Sequence, residues 1–249
     1  MKNISVVIIA INAGNYILNS YQKLKLFNEV LLIDDDSSDN TKEICAKLEI
    51  KYFKRKLNGD FAAQRNFALK NAKSDWILFL DTDEFLNDKF IKEVYSKIGE
   101  NNITGYFLKR NDDFLCHQMS GTEMAKDKVL RLGKKGYGIW ERKVHEIWKI
   151  DGPLGEIKEP ILHKTAGTLT DFISKIQIYA KIHAMENIEE GKISSIFKII
   201  FYSKAKFFNN FFLLRGYKDG CHGFVVSVLM SFHSFLSWSE IWLFQRKKL

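Results

Sequence analysis

Asp75-Trp76-Ile77-Leu78-Phe79-Leu80-Asp81-Thr82-Asp83 is a short apolar run that ends in two carboxylates one residue apart. A run this brief and this apolar reads as a strand buried on both faces. At its end, strand alternation lets Asp81 and Asp83 converge on one face. Paired hard oxygen donors at a strand terminus suit Mg²⁺ or Mn²⁺ holding a diphosphate. The same triplet also occurs as a turn or a helix cap, so its surroundings decide its meaning.

Upstream, Ile4-Ser5-Val6-Val7-Ile8-Ile9-Ala10 and Glu29-Val30-Leu31-Leu32-Ile33-Asp34 are two further buried strands, the second ending in an acid. The loop Asp35 to Thr41 is rich in Ser and Asp, which can cap a helix running from Lys42 to Leu48. With a second helical pattern from Ala62 to Ala72, the spacing predicts βαβ units in an α/β fold with a mostly parallel central sheet. In such sheets ligands bind at the carboxyl ends of the strands.

Four motifs in order, Ile4 to Ile9, Ile33 to Asp39, Gln64-Arg65-Asn66-Phe67-Ala68 and Leu80 to Glu84, resemble the nucleotide-sugar-binding half of family 2 glycosyltransferases, which have the GT-A fold. Val129-Leu130-Arg131-Leu132, Val144-His145-Glu146 and His163 are similar to the bacterial branch with lipopolysaccharide-core and lipooligosaccharide β-glucosyltransferases. The likeness spans most of residues 1–165. It departs at Ala10-Ile11-Asn12-Ala13-Gly14, where many relatives carry Thr, Asn and Glu.

The resemblance implies an inverting transfer of a hexose from a nucleotide diphosphate sugar, UDP-sugars being common, to a hydroxyl of a cell-envelope glycan or a lipid-linked acceptor. By the same resemblance Asp34 would accept from the base imide, Asp83 would bind the metal directly, and Asp81 would serve the ribose or the metal through water. His163 would complete the metal site. Arg65 and Asn66, at a helix start, are placed to approach the ribose or diphosphate, because a guanidinium forks well onto phosphate oxygens. For the base, Glu146 between Val144 and Trp148 suits a partly apolar cleft that raises a carboxyl's proton affinity. His145 would orient it or bind the acceptor, with Glu141 and Asp151 in reserve.

Other chemistries lack their residues. His145-Glu146 would begin a metalloprotease motif, but Lys149 stands where the second histidine belongs. Asn12 to Tyr16 carries neither the glycine-rich, basic loop of a nucleotidyltransferase nor the Gly-x-Gly-x-x-Gly of a dinucleotide oxidoreductase. A basic membrane- or RNA-binding protein with a degenerate nucleotide-sugar site is the alternative, and the set Asp34, Asp81, Asp83 and Glu146 argues against it.

The 249 residues carry a net charge of +8. Past a break at Asp151 to Gly167, a helical segment over 166–249 mixes Lys198, Lys204, Lys206 and Arg215 with Phe197, Phe201, Tyr202, Phe207, Phe208, Phe211 and Phe212. This pattern suits peripheral contact with an anionic membrane more than nucleic acid. Gly223 to Leu243 is apolar but broken by serines, His233 and Glu240, and reads as an amphipathic or packed helix rather than a spanning one. Cys45, Cys116 and Cys221 are scattered and read as reduced thiols. With no secretory pattern near Lys2, the expected location is cytoplasmic, on the inner face of the membrane.

Overall fold

The computed structural model describes residues 3–99, 102–126, 128–143, 146–166 and 168–247. Strands β1 (Ile4–Ala10), β2 (Glu29–Asp34), β3 (Lys51–Lys54) and β4 (Trp76–Leu80) form a parallel block in the order β3-β2-β1-β4. Val7 stands beside Leu31 on one side and Phe79 on the other. All of β4 is buried, as a strand covered on both faces requires. Helices α1 (Gly14–Leu24), α2 (Thr41–Lys47) and α3 (Phe61–Asn71) supply the crossovers. Tyr16, Ile17, Ser20 and Leu24 are the buried stripe of α1. Asp60 opens α3 by accepting from the Ala63 N–H at 2.8 Å.

Past β4 the sheet turns antiparallel. It uses β5 (Glu84–Phe85), then, after α4 (Asp88–Lys97), β6 (Gly105–Phe114), β7 (His117–Gln118) and β8 (Lys128–Lys134). A ribbon of β9 (Gly138–Glu141) and β10 (Ile147–Ile150) stands apart, and β11 (Leu154–Ala166) rejoins the sheet. The order continues β4-β8-β6-β11-β5 with β7 on β6, so nine strands among the described residues share one sheet. The α/β sheet with a helical C-terminal segment matches the expected fold class, and the parallel strands make up its N-terminal half. Gly133 of β8 lies under Trp148, where a Cβ would come within 2.6 Å of the indole. Glycine's bare backbone admits the ring.

Two compact units result, Met1–Arg110 with Lys128–His163, and Asn111–Asp127 with Lys164–Leu249. The chain crosses between the two units three times. The excursion from Asn111 belongs with the helices because Phe114 packs edge-on against Phe172, and Asp219 accepts from the Ser120 and Gly121 N–H groups at 2.9 and 2.7 Å. The helices of this unit are α5 (Leu169–Glu189), α6 (Ile196–Phe208) and α7 (Gly220–Lys247), with a π-turn at Asn209–Leu213. Among the described residues, the stretch Gly216–Lys247 is long and apolar enough to cross a membrane by length and composition. It packs against α5 and α6 and buries Val226, Ser227, Ser237 and Ile241.

Candidate functional site

The site is built at the end of β4. There the chain turns so that Glu84 accepts the Asp81 N–H at 2.9 Å. β5 pairs antiparallel with β11 and sets Glu84 opposite His163. The same pairing brings Asp83 Oδ2 within 3.3 Å of His163 Nε2. Two of the three expected metal ligands therefore stand together.

Asp81 is held by three guanidiniums instead. Arg65 Nη2 donates to its Oδ1 at 2.9 Å, while Arg110 Nη2 and Arg131 Nη2 reach Oδ2 at 3.1 and 3.0 Å. Arg65 comes from α3, Arg110 from β6, and Arg131 from β8, one residue from the Leu78–Leu132 pair. Arg110 also donates through Nε to Glu84 at 2.7 Å. Arg65 Nε donates to Glu146 at 2.9 Å, with Arg131 Nη1 at 3.7 Å from the same oxygen. Three cations thus face the three carboxylates of Asp81, Glu84 and Glu146. Arg65 and Arg131 lie over the Trp140 ring at 4.7 and 5.4 Å, and Trp140 stacks on Trp148 at 5.1 Å. This aromatic floor restricts where the guanidiniums can go.

The charges respond accordingly. Burial pulls the Asp81 carboxyl up, but the charges of Arg131, Arg65 and Arg110 outweigh it and hold the group well below the usual carboxylate range. Glu84 is fully buried, and burial together with the Asp81 charge pushes its carboxyl up despite Arg110. Arg65 Nη1 and Arg131 Nε keep donors without a hydrogen-bond partner among the described residues.

Glu146 is paired with Arg65 and Arg131, and Trp148 of the expected partly apolar cleft stands beside it. A cavity of about 430 Å³ opens beside Glu146, walled by Arg131, Trp140, Trp148, Phe107 and Leu154. His145 and Val144 lie outside the described residues. The reserve bases are exposed, and Glu141 is paired with Lys149 at 3.5 Å.

Two expected substrate contacts are occupied. Asp34 is fully buried; its Oδ2 accepts from the Ser37 N–H at 2.9 Å and from the Tyr52 hydroxyl at 2.8 Å, and its Oδ1 accepts from the Ser37 hydroxyl. Asn66 donates to the Trp140 carbonyl at 2.8 Å and accepts the Trp140 N–H at 2.9 Å, so its amide clamps β9 to α3. Arg110, Arg131 and Glu84 carry no expected role in the sequence. The signal for Arg131 was an arginine inside the apolar run Val129 to Leu132.

Among the described residues, no group of three or more His, Cys, Asp or Glu side chains is arranged to hold a metal ion. Asp83 and His163, 3.3 Å apart, are the residues that would hold a divalent cation here.

Known proteins share this chain's pattern. It is 24% identical over 249 residues to the lipopolysaccharide core biosynthesis glycosyltransferase LpsC of Rhizobium meliloti, covering 96% of this chain and 92% of that protein. An uncharacterized glycosyltransferase of Rickettsia conorii is 25% identical over 254 residues, covering 96% and 90%. Poly(ribitol-phosphate) beta-N-acetylglucosaminyltransferase TarS of Staphylococcus aureus is 34% identical over 120 residues, covering 44% of this chain and 21% of TarS. The crystal structure of S. aureus TarS 1-349 covers 72% of this chain and 64% of its own, at 15% identity and a TM-score of 0.47. Residues 5–137 match glycosyl transferase family 2, and this chain belongs to that family of enzymes, which transfer a sugar from a nucleotide-sugar donor.

Proposed function

We propose that the protein is an inverting glycosyltransferase that moves a hexose from a UDP-sugar to a hydroxyl of a cell-envelope glycan or lipid-linked saccharide at the cytoplasmic face of the membrane. The observation that carries this reading is that Arg65 donates to both Asp81 and Glu146, with Arg131 beside it reaching the same two carboxylates. Together they tie the carboxylate at the donor end to the carboxylate beside the open cavity. The similarity to a lipopolysaccharide core enzyme over 96% of the chain supports the choice of acceptor.

In this reading Glu146 takes the proton of the acceptor hydroxyl. The oxygen attacks the anomeric carbon from the face opposite the diphosphate, the carbon–oxygen bond to phosphate breaks, and the nucleoside diphosphate leaves. Arg65 and Arg131 hold the Glu146 carboxylate in one orientation, which saves the entropy of finding it. Asp34 fixes the loop that borders the nucleobase, and direct contact with the base requires Ser37 or Tyr52 to yield.

The three arginines are already matched by three carboxylates, so an incoming diphosphate needs further positive charge. A divalent cation, Mg²⁺ or Mn²⁺, held by Asp83 and His163 would supply that charge to the leaving group. The unpartnered donors of Arg65 and Arg131 add to it.

Glu146→Gln tests the reading, because it keeps the shape and one acceptor oxygen but removes the base. Donor affinity by calorimetry stays within a few-fold, while turnover falls by about two to four powers of ten. Turnover near wild type removes Glu146 from this role.

A further inference from the structure

A helix of a soluble domain ordinarily turns its apolar stripe inward. Helix α6 does the reverse. Ile199 is its one buried residue among those described, whereas Ile196 and Phe197 are 70% and 72% exposed and Ile200, Phe201 and Phe208 are all half exposed or more. Their spacing puts them on one side of the helix. The π-turn extends the surface with Phe212 and Leu213, and Phe224 of α7 joins it through Phe207 and Phe211, each with ring centroids 5.9 Å away. A groove of about 660 Å³ runs among Phe201, Phe207, Phe208 and Phe212, with Lys204 and Ser231 also lining it.

Cations predominate along this segment. From Lys192 to Lys218 the chain has six Lys and Arg residues and no Asp or Glu. Some of these cations are engaged: Lys206 pairs with Glu123, Lys192 with Glu190, and Lys198 donates to the Ile193 carbonyl at 2.8 Å. Lys204, Arg215 and Lys218 are exposed and form no ion pair among the described residues.

Aromatic and aliphatic chains with Lys204 in the groove, and with exposed Arg215 and Lys218 just past the π-turn in the chain, match the headgroup and acyl boundary of an anionic bilayer. A second copy fits poorly, because a two-fold contact would set the same positive patch against itself. Nucleic acid has no use for Ile196, Ile200 and Leu213. A spanning α7 would take its partner α5 along, and α5 carries Asp171, Lys175, Lys181, Glu186 and Glu189.

We propose that α6 and the π-turn form a docking face for anionic lipid, with Phe197, Phe201, Phe208 and Phe212 entering the interface and Lys204, Arg215 and Lys218 meeting the headgroups. This deepens the reading of a lipid-linked acceptor, but the test does not depend on it. The full chain is sedimented with vesicles of phosphatidylcholine alone or mixed with phosphatidylglycerol. Wild type binds the anionic vesicles, and binding weakens steeply with salt. Lys204→Gln, Arg215→Gln and Lys218→Gln together lower the partition coefficient by about a hundredfold. Phe197→Ser with Phe201→Ser and Phe208→Ser abolishes binding, and circular dichroism confirms that this variant stays helical. Absence of binding to anionic vesicles at low salt overturns the proposal, as do equal binding to neutral vesicles and retention in alkaline carbonate, the mark of a spanning helix. Donor hydrolysis in detergent-free buffer separates the two readings: vesicle binding without hydrolysis overturns the function alone, and hydrolysis without vesicle binding overturns the docking face alone.

Discussion

Asp81 and Glu146, 65 positions apart in the chain, are joined most closely through the Arg65 guanidinium, whose Nη2 and Nε each lie 2.9 Å from a carboxylate oxygen, while Arg131 reaches the same pair at 3.0 and 3.7 Å. A planar fork can hold two carboxylates at a fixed separation and angle. A lysine ammonium is a point charge on a flexible stem.

Arg65→Lys therefore keeps the charge and loses the geometry. Turnover is expected to fall about a hundredfold, as for a small misplacement of a catalytic group, with the donor Kd within a few-fold. Steady-state kinetics beside calorimetric donor titration measures both. A loss confined to donor affinity would assign Arg65 to binding alone.

Asp83 is the exposed member of the Asp83–His163 pair, with 38% of its side chain accessible. Asp83→Ala should leave the melting temperature near wild type, since exposed substitutions away from special features stay within about 0.5 kcal/mol. The rise in melting temperature that Mn²⁺ and UDP together give the wild type should disappear. Wild-type activity undiminished by a chelator would count against any metal at this pair.

Acid should weaken the cage through Asp81. Its carboxyl is held low in the folded protein, so the stabilisation is present above the ordinary carboxylate range and is lost as pH falls below about 4. Glu84 has the opposite sign: its raised carboxyl costs stability while ionised and is relieved by protonation. Asp81→Asn leaves three arginines against two carboxylates and should cost about 3 kcal/mol at pH 7 by urea unfolding. The gap to wild type should shrink as pH approaches 3, and a gap independent of pH would contradict this account.

Asn66→Ala tests a structural assignment. Removing the amide strands the N–H and carbonyl of Trp140, so about 1–3 kcal/mol of stability should go, with a change in tryptophan fluorescence. Donor affinity is expected to hold within a few-fold. A large loss of donor affinity at unchanged stability would return Asn66 to the substrate.

The sequence by itself determined three of the four parallel strands, and the edge strand β3, with lysine at both ends, gave no apolar run to read. β1, β2 and β4 are continuous apolar runs because strands covered on both faces admit little else, and the helices expected at Lys42 to Leu48 and Ala62 to Ala72 lie within a residue of α2 and α3 at either end. The four ordered motifs were enough to indicate the family, because acids at strand ends are visible as local patterns. The tertiary structure alone decided who faces whom. Arg110 and Arg131 reach Asp81 from 29 and 50 residues away through antiparallel strand register, and local periodicity does not encode register. It also turned Asn66 toward the Trp140 backbone and paired Glu146 with arginines, since a buried polar group must take whichever partner the packing delivers.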